Sequence, residues 1–313
     1  MKKIVILLFV AIIWNQGLAQ DAKVISILNF TGAIDRYAIE MRLEINHQSD
    51  SVAGEYYYVK NAGKDKIILE GNLKDGVLQL TESAYNVKRR KYENTGKFQL
   101  NYVNQTSLNG SWKKSEKDAN YLSVVLNARE NLKAFNPASS TFHYVRNKAN
   151  LDYIPADAQY YYHLLSLKIF VNKSMRWAFT EFDDVFMKEA SVELQDLNFD
   201  GFLDFKVPIY YPSLAKGDYA YRYFIYSPKT TGFTQSKTLN DIGVAFFDSA
   251  KKEVSAIDAD GRGNEGTKYY RWQNGKLFLV KEERVYEDDN YTHLTYYKIE
   301  NGKSVKLRTE KRK

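Results

Sequence analysis

The sequence alternates apolar and polar residues in many short runs that end at turn residues. In the run from Tyr37 to Ile45, every second residue is large and apolar, and three of the four residues between them are charged. Successive side chains of a β-strand point to opposite faces, so a period of two predicts a strand with one buried face. Pairs such as Asp75-Gly76, Asn274-Gly275 and Asn301-Gly302 favour tight hairpins between such runs. The pattern predicts a meander of antiparallel strands.

The rest of the chain has the same character. It contains 25 Tyr and 17 Phe, which favour half-buried strands, and no long amphipathic helix of the kind that βαβ enzymes use. The rhythm breaks near Asn136-Pro137 and resumes at Tyr160. We therefore predict an all-β protein with two antiparallel β domains, a small barrel or sandwich followed by a β-sandwich or propeller-like domain. The predicted segments are 22–129 for the first domain, 130–150 for a linker, 151–307 for the second domain and 308–313 for a basic tail.

The N-terminus resembles an export signal. Lys2 and Lys3 precede an uncharged run from Ile4 to Trp14, and small residues lead up to Ala19. This order predicts a signal peptide at 1–19 with cleavage after Ala19, because the apolar run is too short to span a bilayer. No later run is long enough to span one either, so we expect no transmembrane segment in the mature protein. The expected location is the periplasm or the cell surface.

Cysteine and charge exclude some functions. The chain has no Cys, which rules out disulfides, thiol catalysis and Cys-based zinc sites. Its formal net charge is +7, and basic residues concentrate at Lys88–Lys91 and near the C-terminus. A basic tail such as the one near the C-terminus contacts lipid head groups, anionic glycans or nucleic acid, although a solvated terminus is the plainer interpretation. No nucleic-acid-binding motif is recognisable, so nucleic acid is not an expected partner.

One segment has the spacing of a calcium loop. Side-chain oxygens at the first, third and fifth positions of a tight loop converge on one point, a backbone carbonyl follows at the seventh, and a glycine allows the sharp reversal. Gly201 supplies that glycine, and the position that would carry the last glutamate of an EF-hand is Val207. Because the flanks alternate as strands, we predict a Ca²⁺-binding strand–loop–strand hairpin. A polar turn that caps its own backbone is the alternative. The predicted ligands are Asp196, Asn198, Asp200, Phe202 through its carbonyl, and Asp204.

A second polar loop, from Asp258 to Gly266, lacks the ligand spacing of the first. It is rich in residues that tolerate positive φ and has no large apolar side chain, so we expect it to be exposed. An exposed loop of this build can enter a partner's cleft, where Arg262 would pair with carboxylates. A hairpin tip with no partner is the alternative. The predicted binding-loop residues are Gly261, Arg262, Gly263, Asn264 and the nearby Tyr269.

The segment from about Tyr160 to Tyr297 resembles periplasmic proteins related to inhibitors of invertebrate-type lysozyme. That group includes immunity proteins that protect Gram-negative cells from secreted lysozyme-like effectors. The likeness lies in the calcium loop, which is also similar to those of integrin-type repeats, in the aromatic strands from Tyr221 to Phe233, and in the glycine-rich loop before Tyr269. In the inhibitors a Ser-Gly-x-x-Tyr loop enters the lysozyme cleft, and here the corresponding residues lack the Ser-Gly start. The N-terminal half resembles uncharacterised exported β-domains.

The resemblance implies a non-catalytic exported protein, an inhibitor of or immunity protein against a lysozyme-like cell-wall hydrolase, with calcium in a structural role. A glycan- or peptidoglycan-binding surface protein is the alternative, because exposed Tyr and Trp rings stack on sugars. A hydrolase is a third hypothesis. No H-E-x-x-H or G-x-S-x-G motif is present, and the acids we would test for a glycosidase pair are Glu181, Asp183 and Asp184.

Overall fold

The computed structural model describes residues 18–61, 65–102, 106–114, 120–148, 161–180, 182, 184–187, 191–210, 219–259 and 263–313. Strands dominate these residues, which confirms the all-β prediction and agrees with two β domains. The helical elements among them are two 3-10 turns, at Val59–Asn61 and Pro137–Ser139, and one short helix, α1 (Lys237–Ile242). No helix in the described ranges is long and apolar enough to cross a membrane.

The first half of the chain forms an eight-stranded antiparallel barrel. A short strand, β1 (Leu18–Asp21), precedes it and pairs elsewhere. Each barrel strand pairs with the next one along the chain, as the alternating pattern predicts. The barrel strands are β2 (Lys23–Ile34), β3 (Tyr37–Asn46), β4 (Ser51–Tyr58), β5 (Ile67–Lys74), β6 (Val77–Asn86), β7 (Lys91–Asn101), β8 (Ser107–Lys113) and β9 (Leu122–Ala128).

The barrel closes where its first strand meets its last. The second half of β2 pairs with β9, from Phe30 opposite Ala128 to Ile34 opposite Val124. Gly32 lies in this seam, and a Cβ on it would collide with the carbonyl oxygen of Val125. The two strands approach this closely because Gly32 has no side chain.

One buried acid lies among the apolar core side chains of the barrel strands. Glu82 is 4% exposed, and its carboxylate accepts hydrogen bonds from the Tyr56 hydroxyl and the Trp112 ring nitrogen, each at 2.7 Å. The Thr95 hydroxyl donates a third bond at 2.6 Å. Three donors from three strands therefore satisfy one buried carboxylate, which is what makes its burial tolerable.

A second group of strands continues from the barrel. β10 pairs with β1 and β11, β11 pairs with β12 and β13, and β14 to β17 form an antiparallel series. β14 also pairs in parallel with the first half of β2, from Ser191 opposite Lys23 to Leu194 opposite Ser26. One continuous hydrophobic core runs through both groups. The strands are β10 (Ser140–Lys148), β11 (Tyr161–Val171), β12 (Ser174–Phe179), β13 (Asp184–Met187), β14 (Ser191–Gln195), β15 (Asp204–Tyr210), β16 (Tyr219–Ser227) and β17 (Gly232–Gln235).

The last part of the chain is a six-stranded antiparallel meander. A small core around Leu197, Tyr223, Leu239 and Val254, against which Trp272 packs, joins one end of this sheet to the second group of strands. The strands are β18 (Phe246–Asp248), β19 (Glu253–Ala259), β20 (Glu265–Gln273), β21 (Lys276–Val285), β22 (Thr292–Glu300) and β23 (Lys303–Arg312).

Three of the predicted segments, the signal peptide, the linker and the basic tail, overlap described strands. Residues 1–17 of the predicted signal peptide lie outside the described residues, and the predicted cleavage after Ala19 falls within β1. The predicted linker, 130–150, contains a 3-10 turn and the whole of β10. The predicted basic tail continues β23 as far as Arg312, where it pairs with β22. The signal peptide and the domain limits stay predictions.

Candidate functional site

The predicted calcium loop connects β14 to β15, as the strand–loop–strand prediction requires. Its side chains accept hydrogen bonds from the loop's own backbone. Asp196 accepts from the amides of Asp200 at 3.1 Å and Gly201 at 2.8 Å, and Asn198 accepts from Asp200 at 3.0 Å. Asp200 in turn accepts from the Phe202 amide at 3.0 Å. The polar spacing that the sequence displays thus winds the loop tightly on itself.

The fifth predicted ligand group, the carboxylate of Asp204, is fully buried at the start of β15. One of its oxygens accepts from the amide of Leu197 and the other from the amide of Tyr226, both at 2.8 Å. Burial raises the pKa of Asp204 well above its usual value, although the two backbone hydrogen bonds oppose the shift. Asp204 therefore clamps the loop and strand β16 together. The sequence gives no sign of this role, because Tyr226 lies far along the chain.

The acids of the loop have no basic partner among the described residues. Asp196 is 9% exposed, and its burial raises the pKa of its carboxyl to about 6. In the described part of the chain, none of Asp196, Asp200 and Asp204 forms an ion pair. An all-oxygen, uncompensated donor set is the chemistry that suits Ca²⁺. Among the described residues, no cluster of three or more acids or histidines surrounds one point. The ligand types of the loop therefore fit a calcium ion, but its described side chains do not form a ready-made metal site.

Two further contacts tie this loop to distant parts of the molecule. The ring nitrogen of Trp272, on β20, donates to the carbonyl oxygen of Leu197 at 3.0 Å. The amide of Asn131, just after the barrel, donates to the carbonyl oxygen of Gly201 at 2.7 Å. The loop is thus bonded to the barrel exit, to β16 and to the six-stranded sheet. Its position indicates a structural role.

The predicted binding loop joins β19 to β20, and Gly261 and Arg262 lie outside the described residues. Gly263, at φ +89°, packs against Glu287, and the Asn264 side chain accepts from the amide of that residue at 3.2 Å. Tyr269 is not beside them. Its hydroxyl donates to Glu283 at 3.0 Å, and the Lys281 ammonium lies 3.8 Å from its ring centre.

Gly263 and Asn264 belong to what we call the free end of the six-stranded sheet, formed by the β19–β20 and β21–β22 connections and the strand residues beside them. None of the described residues at this end belongs to either hydrophobic core. Ion pairs brace its base, where Arg284 and Lys268 both pair with Asp258, at 2.6 and 2.8 Å. Its surface nevertheless exposes large apolar side chains, namely Ile257 (67%), Val285 (44%), Tyr286 (42%) and Tyr291 (39%).

A polar cleft of about 650 Å³ lies between the barrel wall and the later strands. Acid–base pairs line it: Glu40 accepts from the Tyr57 hydroxyl at 2.6 Å with Arg129 3.6 Å away, and Lys206 pairs with Glu193 at 2.9 Å. Burial and the bond to Glu40 raise the pKa of Tyr57 to about 12. The cleft is also lined by Arg42, Phe246 and Phe247.

The acids considered for a glycosidase pair cannot be placed together. Glu181 and Asp183 lie outside the described residues, as does the side chain of Asp184. Sequence reasoning also missed a serine–histidine contact, Ser26 Oγ to His47 Nε2 at 2.9 Å. Ser26 is fully buried, so no substrate reaches its hydroxyl. The contact satisfies a buried hydroxyl next to the junction of β2 with β14.

The chain matches no family model and no curated protein. Among solved structures, a Xanthomonas protein described as related to a type IV secretion system is similar over 54% of this chain and 90% of its own length, with 13% identity and a TM-score of 0.44. A protein of Bacteroides uniformis, proposed to be a 6-phosphogluconolactonase, is similar over 90% of this chain and 95% of its own, with 11% identity and a TM-score of 0.24. Neither likeness is strong enough to assign an activity.

Proposed function

We propose that this chain is an exported, non-catalytic binding protein that holds a protein partner with the free end of its six-stranded sheet. One observation carries this proposal. Four large apolar side chains are exposed around two connections whose base is fixed by ion pairs and by the Asn264–Glu287 hydrogen bond. A rigid projection with exposed aromatic and aliphatic groups supplies the anchors that protein interfaces use, and its rigidity lowers the entropy lost on binding.

The partner class follows from the sequence resemblance, and it is a lysozyme-like cell-wall hydrolase. The cleft of such an enzyme is lined with carboxylates, which the guanidinium of Arg262 would pair with. Exposed tyrosines such as Tyr286 and Tyr291 would fill the apolar rim. Export places the protein in the compartment where such hydrolases act.

The test is an inhibition and binding assay with a panel of lysozymes and related muramidases. We expect at least one enzyme to be inhibited, and inhibition to weaken at least tenfold in Arg262→Ala and in the Ile257→Ser/Tyr286→Ala double variant. Arg176→Ala, an exposed arginine on the distant strand β12, is the matched control and should behave as wild type. Failure to bind any enzyme of the panel would refute the partner class. Equal inhibition by all variants would refute the assignment of the surface.

The calcium loop completes this proposal as a structural site. Asp196, Asn198, Asp200, the Phe202 carbonyl and Asp204 would hold Ca²⁺, which would neutralise carboxylates that form no ion pair with the described basic residues. With 1 mM Ca²⁺ and a dissociation constant of about 10 μM, binding would stabilise the fold by about 2.7 kcal/mol. The melting temperature should therefore rise in calcium relative to chelator, and Asp200→Ala should abolish that rise. Identical melting curves in calcium and chelator would refute calcium binding.

The cleft favours a second candidate function, glycan binding. Most of its charged groups are paired, and acids and bases are balanced in number. The rings of Phe246 and Phe247 flank them, and this combination of hydrogen-bonding groups and ring faces suits sugars. Arg42 forms no ion pair among the described residues and is the group available to a ligand. Retention on insoluble peptidoglycan that is lost in Arg42→Ala and kept in Arg176→Ala would support this function. A protein that does not sediment with peptidoglycan would exclude it.

A further inference from the structure

The barrel has one strongly basic end. Because successive barrel strands run in opposite directions, the connections β2–β3, β4–β5, β6–β7 and β8–β9 all lie at the same end. The described residues of these connections, taken as 35–36, 59–66, 87–93 and 114–121, include three acids, Asp35, Asp65 and Glu93. They include eight basic residues, namely Arg36, Lys60, Lys66, Lys88, Arg89, Arg90, Lys91 and Lys114. We call this surface the basic end of the barrel.

Aromatic side chains are interleaved with these charges. Tyr37, Tyr85, Tyr92 and Tyr121 are exposed by 36, 52, 60 and 61%, and the Lys60 ammonium lies 5.5 Å from the ring centre of Tyr37. A tyrosine has an apolar ring and a polar hydroxyl, so it is most stable where one side is apolar and the other is wet. A ring of exposed tyrosines with basic neighbours therefore matches the boundary between lipid chains and head groups.

The β6–β7 hairpin carries four of these eight basic residues, Lys88 to Lys91. Tyr85 and Tyr92 form a cross-strand pair with ring centres 5.4 Å apart, and they support the turn beyond them. At that turn Val87 is 77% exposed, the highest exposure of any large hydrophobic side chain in the described part of the chain. Nothing in the fold requires an aliphatic residue at a hairpin tip, where polar residues are favoured.

The charges at the tip are available to a ligand. Glu93 accepts from Arg89 at 3.0 Å and lies 3.7 Å from Lys91, so one acid serves two of the four basic residues. Within the described ranges, Lys88 and Arg90 form no ion pair. The tip thus combines an unpaired positive charge, a pair of tyrosines and a projecting aliphatic side chain. A polyanion such as a nucleic acid or an acidic glycan would use the charge and leave Val87 in water.

We propose that the basic end of the barrel binds the surface of an anionic phospholipid bilayer, with Val87 inserted among the lipid chains, the tyrosines at the head groups and Lys88, Arg90 and Lys91 on the phosphates. Binding is reversible, because a few basic residues and one small apolar group supply much less affinity than a transmembrane segment. It orients the protein with the β6–β7 hairpin against the membrane. The free end of the six-stranded sheet does not take part, so the two surfaces can be tested separately.

The test uses residues 18–313, which contain every strand described, so that the apolar run from Ile4 to Trp14 does not bind lipid by itself. Sedimentation with vesicles of phosphatidylcholine and 30 mol% phosphatidylglycerol is compared with pure phosphatidylcholine vesicles. We expect binding to the anionic vesicles only, and weaker binding as salt is raised. The absence of binding to anionic vesicles at low salt overturns the proposal.

Matched charge variants locate the surface. Each basic residue near an anionic membrane changes the partition coefficient by about fivefold, so Lys88→Gln/Arg90→Gln/Lys91→Gln should lower it on the order of 100-fold. Lys303→Gln/Lys306→Gln/Lys313→Gln removes the same charge at exposed positions on and after β23, and should lower it less than fivefold. Equal losses in the two variants overturn the assignment to the hairpin.

A reporter at the tip distinguishes lipid from other polyanions. In Val87→Trp, emission from the new indole should shift to the blue on binding and be quenched by lipids brominated on their acyl chains, relative to the wild-type protein. Binding without this quenching shows a charge-only contact and overturns the insertion of the tip. Hairpin-dependent binding to heparin or DNA that matches or exceeds binding to the vesicles assigns the surface to polyanions in general and overturns the lipid proposal.

Discussion

Asp204 is a proposed calcium ligand and an observed backbone clamp, and substitution by Asn separates the two roles. The carboxylate is fully buried and accepts two backbone amides, from Leu197 and Tyr226, at 2.8 Å each. An Asn side chain offers one oxygen and one NH₂ group. Whichever way it is oriented, one of the two amides faces a donor instead of an acceptor.

The magnitude follows from those contacts. An unsatisfied buried amide costs about 1–3 kcal/mol, and the unpaired NH₂ of the new residue adds a similar amount. Removal of the charge offsets part of this loss, because burial disfavours the ionised carboxyl and raises its pKa. We expect Asp204→Asn to lower the free energy of unfolding by about 2–4 kcal/mol, with or without calcium. Asp200→Ala, which removes two exposed turn hydrogen bonds, from the Phe202 amide and the Asn198 side chain, should cost about 1 kcal/mol in chelator.

The assay is urea denaturation of both variants and wild type, in calcium and in EGTA, with the midpoint compared at equal slope. If Asp204 acts as a backbone clamp, Asp204→Asn should lower the free energy of unfolding in EGTA by about 2–4 kcal/mol. If that variant unfolds within about 1 kcal/mol of wild type in EGTA, the two amides do not depend on the carboxylate and the reasoning fails. If it loses stability only in calcium, Asp204 acts solely through the metal.

Two further substitutions test buried polar groups. Glu82→Leu removes the acceptor of three donors, the Tyr56 and Thr95 hydroxyls and the Trp112 ring nitrogen, and should lower stability by at least about 3 kcal/mol. A melting temperature within about 2 °C of wild type would contradict this. Burial lowers the pKa of His47 to about 4, below its unfolded value of 6.5. The neutral ring therefore contributes to folding stability above pH 6.5. This contribution, up to about 3 kcal/mol, is lost as the pH falls towards 4. Stability measured against pH should therefore fall less steeply across that range in His47→Gln, and parallel curves for the two proteins would refute the assignment.

Local pattern was enough to predict strands where the alternation is regular. The alternation from Tyr37 to Ile45 lies within β3, where Ile39, Met41, Leu43 and Ile45 are all buried. The turn pairs also behave as predicted, since Asp75, Asn274 and Asn301, and the glycine after each, all have positive φ. These features depend on residues adjacent in sequence, which is why the sequence alone reveals them.

Pairings between distant strands could not be predicted in the same way. Closure of the barrel by β2 and β9, and the parallel pairing of β2 with β14, join segments about 100 and 170 residues apart that carry no recognisable signature of each other. The same limit applies at the calcium loop. Its spacing predicts the turn and the ligand types, whereas the partners Tyr226 and Trp272 come from other strands. Helix α1 was missed because six residues are too few for a helical period.

The divided pairing of β2 has a consequence for how the chain is made. A chain synthesised or exported from its N-terminus presents the barrel strands first, and each of them pairs with a neighbour already present. The first half of β2 would then stay an open strand edge until β14 arrives, and such an edge invites pairing with another molecule. The interval during which residues beyond the barrel are still being delivered is therefore the time of greatest risk of misassembly. A protein truncated before Ser191 would keep that exposed edge permanently.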